Sequence, residues 1–157
     1  MGKKVLVLNG PNLNTLGRRE PELYGRRTLE DIEADCIETG LRLAMEVDCR
    51  QSNHEGELID WIQAARGSCA GIVINAGALS HTSVALLDAL KYYGGPVVEV
   101  HITNIHRREA YRRHSYISQV ADAVICGLGW RGYRHALQSL ADRFADARPA
   151  DAGIAMA

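Results

Sequence analysis

The fold is decided by the run Pro96-Val97-Val98-Glu99-Val100-His101-Ile102. Its β-branched, almost continuous apolar character is typical of a parallel strand that is covered on both faces. Side chains two positions apart on a strand point to the same side, so Glu99 and His101 share a face. A buried carboxylate is costly without a partner, and this imidazole is the nearest candidate. Because a carboxylate fixes the tautomer of an imidazole and favours its charged form, the pair suits a general acid.

Strands and helices alternate along the rest of the chain. Predicted strands cover residues 4–9, 46–52, 71–75, 96–102 and 123–126, and predicted helices cover residues 28–45, 55–66, 82–93 and 132–144. Such alternation at short spacing implies a parallel sheet with right-handed crossovers. Five strands suit the flavodoxin-like order 2-1-3-4-5, whose ligands lie beyond the carboxyl ends of the strands. We therefore predict an α/β, flavodoxin-like three-layer sandwich, with one catalytic domain over residues 1–147 and a frayed tail over residues 148–157.

Composition and charge narrow the class of function. The 157 residues are 46% hydrophobic and 24% charged, which is ordinary for an ordered globular protein. A net charge of −1 argues against a polyanion binder, but four arginine pairs begin at positions 18, 26, 107 and 112. This local charge favours a small anionic ligand over nucleic acid. Four cysteines without metal-ligand spacing, no signal-peptide core and no membrane-spanning run predict a cytoplasmic protein with reduced thiols.

Polar side chains follow each of the three central strands of the predicted sheet. Strand 1 continues into residues 9–14, strand 3 into residues 75–81 and strand 4 into residues 99–104. After any single strand, Asn and Gly are explained equally well by a turn. After three neighbouring strands, they indicate that amides, hydroxyls and two histidines meet in one crevice. There His81 either binds substrate oxygens or caps the following helix.

A long segment, residues 10–27, follows the first strand. Loops of this length without structure of their own are usually functional lids or disordered segments. Tyrosine has an ordinary pKa of about 10 and is inert as a base until a cation stabilises its phenolate. Arg19 lies five residues before Tyr24 and is a candidate for that cation. The alternative is a solvated basic loop with a stray aromatic residue.

The sequence carries no fingerprint of a cofactor or a metal. The glycines after the first strand form neither GxGxxG nor a phosphate loop, and His54-Glu55 lacks a second histidine at zincin spacing. We therefore expect no cofactor and no metal. The chemistry that remains is proton transfer by Tyr, His and Glu, with Arg and backbone N–H groups holding an anion.

Seven segments, in order and at matching separations, resemble type II 3-dehydroquinate dehydratase (type II dehydroquinase). They include Asn-Gly-Pro-Asn-Leu-Asn at residues 9–14 and Glu-Val-His-Ile-Thr-Asn at residues 99–104. The full set covers residues 9–21 with 24–25, 51–57, 74–77, 80–83, 99–104, 112–115 and 127–129. The resemblance spans nearly the whole chain.

The resemblance implies a cofactor-free anti elimination of water from 3-dehydroquinate, through an enolate, to give 3-dehydroshikimate. By this likeness, Tyr24 abstracts a proton beside the ketone, and Arg19 stabilises the phenolate and the transition state. His101 protonates the departing hydroxyl, Glu99 orients His101, and Asn12 helps to hold a water against the enolate oxygen. The reaction serves either aromatic biosynthesis in the shikimate pathway or quinate breakdown.

The resemblance also implies substrate contacts and an assembly. The contacts are the side chains of Asn75, His81 and Arg112 and the backbone N–H groups of Ile102 and Thr103. Asp88 matches a residue that reaches the site from a neighbouring subunit, typically in a homododecamer built as a tetramer of trimers. No nucleic acid or membrane partner is expected.

The chain departs from the family pattern in two places. Arg26-Arg27 follow Tyr24 where small polar residues are common, and Thr103 stands where serine is frequent. The extra charge is expected to bear on lid closure or substrate affinity, whereas Thr103 keeps its backbone contact and its hydroxyl. Two alternatives remain: a flavodoxin-like module that binds a nucleotide or phosphate without chemistry, and a catalytically inactive paralogue.

Overall fold

A computed structural model describes residues 2–147 of the chain. Its five parallel strands form a sheet in the order β2-β1-β3-β4-β5. The strands are β1 (Lys3–Asn9), β2 (Met45–Gln51), β3 (Gly71–Asn75), β4 (Val97–His101) and β5 (Ala123–Cys126). The predicted flavodoxin-like α/β fold and its strand order are confirmed. The frayed tail predicted at residues 148–157 lies outside the described residues.

Helices pack on both faces of this sheet. They are α2 (Leu29–Arg42), α3 (Glu55–Ala65), α4 (Val84–Tyr93) and α5 (Arg131–Asp146). Val7 lies in the core beneath α2 and α5, whereas its neighbour Leu8 lies in the core beneath α3 and α4. Each face of a central strand therefore needs apolar residues, which is why the strand runs are almost continuously apolar. No helix within residues 2–147 has the length and hydropathy needed to cross a membrane.

Helix ends follow local hydrogen bonding more closely than apolar periodicity. Thr28 and Asp31 form the predicted capping box, because each side chain accepts a hydrogen bond from the other residue's backbone N–H. Helix α2 ends at Arg42, three residues before the predicted end at residue 45. The reason is Ala44, whose φ of 55° stops the helix, so that the chain reverses and Met45 pairs with β1.

The segment between β1 and α2 is not structureless. It contains a 3₁₀ turn at Leu13–Thr15 and the one-turn helix α1 (Pro21–Tyr24). We call residues 18–25 the lid; Gly17 and Gly25, each with a φ of 85°, stand at its two ends. A Cβ on Gly17 would lie 2.9 Å from the backbone oxygen of Arg26, so the two ends of the lid touch.

Candidate active site

A cavity opens at the carboxyl ends of the three central strands, where the topology predicts a ligand. Nine of the eleven predicted site residues line it: Asn12, Arg19, Tyr24, Asn75, His81, His101, Ile102, Thr103 and Arg112. Strand ends supply Asn75 and His101, and the lid supplies Arg19 and Tyr24. The cavity is thus built from a rigid wall and a loop.

Glu99 lies behind this wall and is completely buried. Its carboxylate accepts hydrogen bonds from Nε2 of His101, from Oγ of Ser118 at 2.6 Å and from Oγ of Ser115 at 2.8 Å. Burial alone would raise the pKa of Glu99, but the bonds from His101, Ser118 and Ser115 outweigh burial and hold it below its ordinary value. Glu99 is therefore ionised, and because a carboxylate only accepts, Nε2 of His101 carries a proton and Nδ1 is the nitrogen left for the cavity.

His81 is held in one tautomer beside His101. Its Nδ1 lies 2.7 Å from the carbonyl oxygen of His114, which can only accept, so Nδ1 is protonated and Nε2 is an acceptor. Burial lowers the pKa of His81, and the charges of His101 and Arg112 lower it further. The two imidazole rings stack with centroids 6.2 Å apart. His81 does not cap α4, because Ser83 accepts the capping hydrogen bond from the backbone N–H of Leu86.

Tyr24 has two guanidinium groups beside it. Those of Arg19 and Arg108 each lie 5.4 Å from the centre of the phenol ring. Arg108 alone hydrogen-bonds the phenol oxygen, with its Nη1 donating at 2.9 Å, while Arg19 forms an ion pair with Glu20 at 3.6 Å. The expected cation, Arg19, lies beside Tyr24, and a second cation, Arg108, which no sequence pattern assigned to the site, binds the phenol oxygen. The pair Arg107-Arg108 was the available signal.

Asn12 and Arg112 are held in place by hydrogen bonds to residues that do not line the cavity. The backbone N–H of Asn12 donates to Oδ1 of Asn53 at 2.9 Å, and Nε2 of Gln51 donates to the same oxygen at 3.1 Å. The guanidinium of Arg112 donates to Glu109 at 2.8 Å. The motif at residues 51–57 therefore holds the loop after β1 rather than entering the cavity.

Of the two predicted site residues that do not line the cavity, Glu99 lies directly behind its wall, whereas Asp88 lies on a helix away from it. It is exposed on α4, and the side chains that line the cavity do not include it. Its expected place in the site of a neighbouring subunit stays a prediction. Within residues 2–147, no group of three His, Cys, Asp or Glu side chains is placed to share a metal ion.

A sequence profile described as dehydroquinase class II matches residues 3–141 of the chain. The chain belongs to the class II dehydroquinase family. It is 59% identical over 144 residues to 3-dehydroquinate dehydratase 2 of Pseudomonas aeruginosa, covering 92% of this chain and 97% of that protein. It is 60% identical over 141 residues to 3-dehydroquinate dehydratase of Methylobacterium radiotolerans, covering 90% and 95%. The crystal structure of type II dehydroquinase from Propionibacterium acnes superimposes with a TM-score of 0.87 at 46% identity, covering 90% of this chain and 98% of that one.

Arg27 follows the lid by two residues and packs against the first residue before α5. Its guanidinium lies 3.8 Å from the centre of the Trp130 ring, at the N-terminus of α5. Such a stack contributes about 0.5–1 kcal/mol at an exposed site. Because Arg27 is only three residues from Tyr24, the stack restrains the end of the lid that carries the phenol.

Replacing Ser118 should make the stability of the protein less dependent on ionised Glu99. The folded-state pKa of Glu99 lies below 4.5, so its ionised form contributes stability above about pH 4.5 that is lost as the pH falls through the folded-state pKa. Ser118→Ala raises that pKa. We expect a loss of about 1–2 kcal/mol at pH 7 that shrinks below pH 4.5, measured by urea unfolding.

The matched control for that change is Ser68→Ala. Oγ of Ser68 donates to the carbonyl oxygen of Ala64 at 2.7 Å, so its loss should be independent of pH in this range. An equal loss for Ser118→Ala at pH 7 and pH 3.5 would contradict the role given to Ser118.

Removing the Arg27 stack should loosen the lid. Arg27→Ser is expected to speed trypsin cleavage after Arg18 and Arg19 by about two- to fivefold, the factor that corresponds to 0.5–1 kcal/mol. In a Trp61→Phe background, the emission of Trp130 should shift as well. Arg26→Ser, which removes the adjacent arginine and an equivalent cleavage site, should change neither; equal effects of the two variants would refute this role of the stack.

Proposed function

We propose that the chain removes water from 3-dehydroquinate by anti elimination through an enolate, without a cofactor, and gives 3-dehydroshikimate. Membership of the class II dehydroquinase family supports the reaction. The single observation that carries the mechanism is that Tyr24, with its arginines, and His101, with its carboxylate, line the same cavity. A base and an acid that enter from different elements suit an elimination in which the two groups leave from opposite faces.

Proton abstraction falls to Tyr24 in this proposal. The N–H of Arg108 that now donates to the phenol oxygen would bind a phenolate more strongly, because a charged acceptor strengthens the bond. Arg19 supplies a second positive charge near the ring. The phenolate takes the proton from the carbon beside the ketone, and the electron pair moves into the carbonyl group to form an enolate. A water held by Asn12 hydrogen-bonds to the enolate oxygen.

Loss of the hydroxyl falls to His101. Its Nε2–H is committed to Glu99, so the proton that reaches the departing oxygen comes from Nδ1 of a doubly protonated ring. Ionised Glu99 stabilises that ring and keeps its plane fixed. The enolate electron pair then expels the oxygen as water, and the ring is left neutral. No redox step and no electron acceptor are needed.

In this proposal, backbone N–H groups and side chains of the cavity bind different parts of the substrate. The backbone N–H groups of Ile102 and Thr103 bind the substrate carboxylate, and Asn75, His81 and Arg112 bind hydroxyls. Unprotonated Nε2 of His81 accepts from a hydroxyl, whereas Arg112 donates. Three of the four arginine pairs contribute a side chain to the cavity, namely Arg19, Arg108 and Arg112. This basic lining favours an anionic ring substrate.

The decisive experiment is a dehydration assay that follows the ultraviolet absorbance of the enone product. The purified parent should turn over 3-dehydroquinate at the same rate with and without a chelator. Tyr24→Phe should lower kcat by at least about a thousandfold and leave substrate binding largely intact, because it removes the base and keeps the ring. Tyr111→Phe, at an exposed tyrosine, is the control and should be fully active.

The dehydration assay, together with a thermal-shift comparison of nucleotides and 3-dehydroquinate, separates the alternatives. No product from the parent would refute the reaction, and a thermal shift with nucleotides instead of 3-dehydroquinate would favour the nucleotide-binding alternative. Chelator sensitivity would refute the metal-free mechanism, and unchanged turnover in Tyr24→Phe would remove Tyr24 from the role of base.

We also propose that the chain works in the cytoplasm as a homododecamer, a tetramer of trimers, in the shikimate pathway or quinate breakdown. Val84, Asp88 and Tyr92 follow one another at four-residue spacing on α4 and are all exposed, which supports an interface that takes Asp88 to a neighbouring site. We expect sedimentation velocity to give about twelve times 17.2 kDa, and Tyr92→Glu to lower that mass. A monomeric parent with full activity would refute the assembly.

A further inference from the structure

A chain of buried hydrogen bonds lies behind the cavity wall and joins α5 to two strand ends. The hydroxyl of Tyr133 accepts from Nδ2 of Asn75 at 2.9 Å and donates to Oδ1 of Asn9 at 2.5 Å. Asn9 and Tyr133 are completely buried, and Asn75 is 3% exposed. Of these three, only Asn75 lines the cavity. Tyr133 therefore touches a cavity residue without entering the cavity itself.

The direction of this chain is fixed by a backbone group. The N–H of Gly77 donates to Oδ1 of Asn75 at 3.2 Å, and a backbone N–H can only donate. Nδ2 of Asn75 must then face Tyr133, whose single proton goes on to Asn9. Burial raises the pKa of Tyr133, so the phenol keeps the proton that this arrangement needs. One N–H of Asn75 remains for the cavity.

We propose that Tyr133 is a positioning residue, which locks the amide of Asn75 so that it presents an N–H donor to a substrate oxygen. This inference rests on the proposed function, in which Asn75 binds a substrate hydroxyl. Without the phenol oxygen, the amide of Asn75 loses the shorter of the two hydrogen bonds that hold its orientation and keeps only the one from the N–H of Gly77 at 3.2 Å. It then samples the flipped state, in which a carbonyl oxygen faces the substrate, and the donor is lost for part of the time.

The chain offers a matched control at the other end of the sheet. Tyr93 is also buried, and its hydroxyl donates to the carbonyl oxygen of Cys69 at 3.0 Å, just before β3 begins. Burial raises the pKa of Tyr93 to about 12, so it too is a protonated, buried phenol. Tyr93→Phe removes one buried hydrogen bond at the opposite end of β3 from Asn75. A merely structural role for Tyr133 predicts the same behaviour from both variants.

The test compares kcat/KM, the pH profile and additivity. Tyr133→Phe should lower kcat/KM about tenfold, mainly through a higher KM, and leave both limbs of the pH profile in place, because neither Tyr24 nor His101 changes. Tyr93→Phe should leave kcat/KM within twofold of the parent. In an Asn75→Ala background, Tyr133→Phe should have no further effect, since the group that it positions is gone.

Two results would overturn the inference: equal activity of the two phenylalanine variants, or a full tenfold effect of Tyr133→Phe on top of Asn75→Ala. An inactive parent would instead refute the proposed function, and the positioning would then be measured by NMR. The side-chain amide protons of Asn75 should be protected from solvent exchange in the parent and in Tyr93→Phe, and at least tenfold less protected in Tyr133→Phe. Equal protection in all three proteins would refute the lock.

Discussion

An ionised carboxylate inside the sheet is the constraint on which the site depends. Glu99 is in the middle of β4, with Ile74 of β3 and Val124 of β5 beside it in register. A charge at this depth is stable only with donors on both oxygens, and His101 and the two serines supply them. The serines belong to the segment between β4 and β5, which also carries Arg108. This one segment therefore binds the carboxylate behind the proposed acid, His101, and also contacts the proposed base, Tyr24.

The two halves of the site differ in how firmly they are held. His101 and Asn75 stand at the ends of strands whose other residues fill the cores, so their positions are set by packing. Tyr24 and Arg19 stand on a lid between two glycines with positive φ, and Arg108, from the segment between β4 and β5, donates to the phenol oxygen of Tyr24. In the proposed mechanism, the acid therefore comes from the packed sheet and the base from a loop.

The sheet, its order and the pairing of Glu99 with His101 could be predicted from the sequence because they follow from local periodicity and from strand geometry. The contact of Arg108 with Tyr24 spans 84 residues and that of Tyr133 with Asn9 spans 124 residues. Such contacts depend on how loops and helices pack, which periodicity does not encode. Arg19 was the candidate cation for Tyr24 because it is near in sequence, and it lies beside the phenol ring, but the fold also brings the more distant Arg108 to the phenol oxygen. The end of helix α2 was predicted three residues too late, at residue 45, because the apolar pattern of the sequence does not reveal the left-handed backbone of Ala44.

Helix α5 contacts both halves of the site from outside the cavity. Tyr133 reaches the strand ends, Trp130 lies under Arg27 at the root of the lid, and Arg134 forms an ion pair with Asp35 of α2 while its guanidinium lies 4.6 Å from the same indole ring. Residues 27 and 130 are thus a matched pair that no single segment contains. A chimera of this chain that takes residues 18–27 from a relative would separate position 27 from the Trp130 ring against which Arg27 packs, so the two positions would have to be exchanged together.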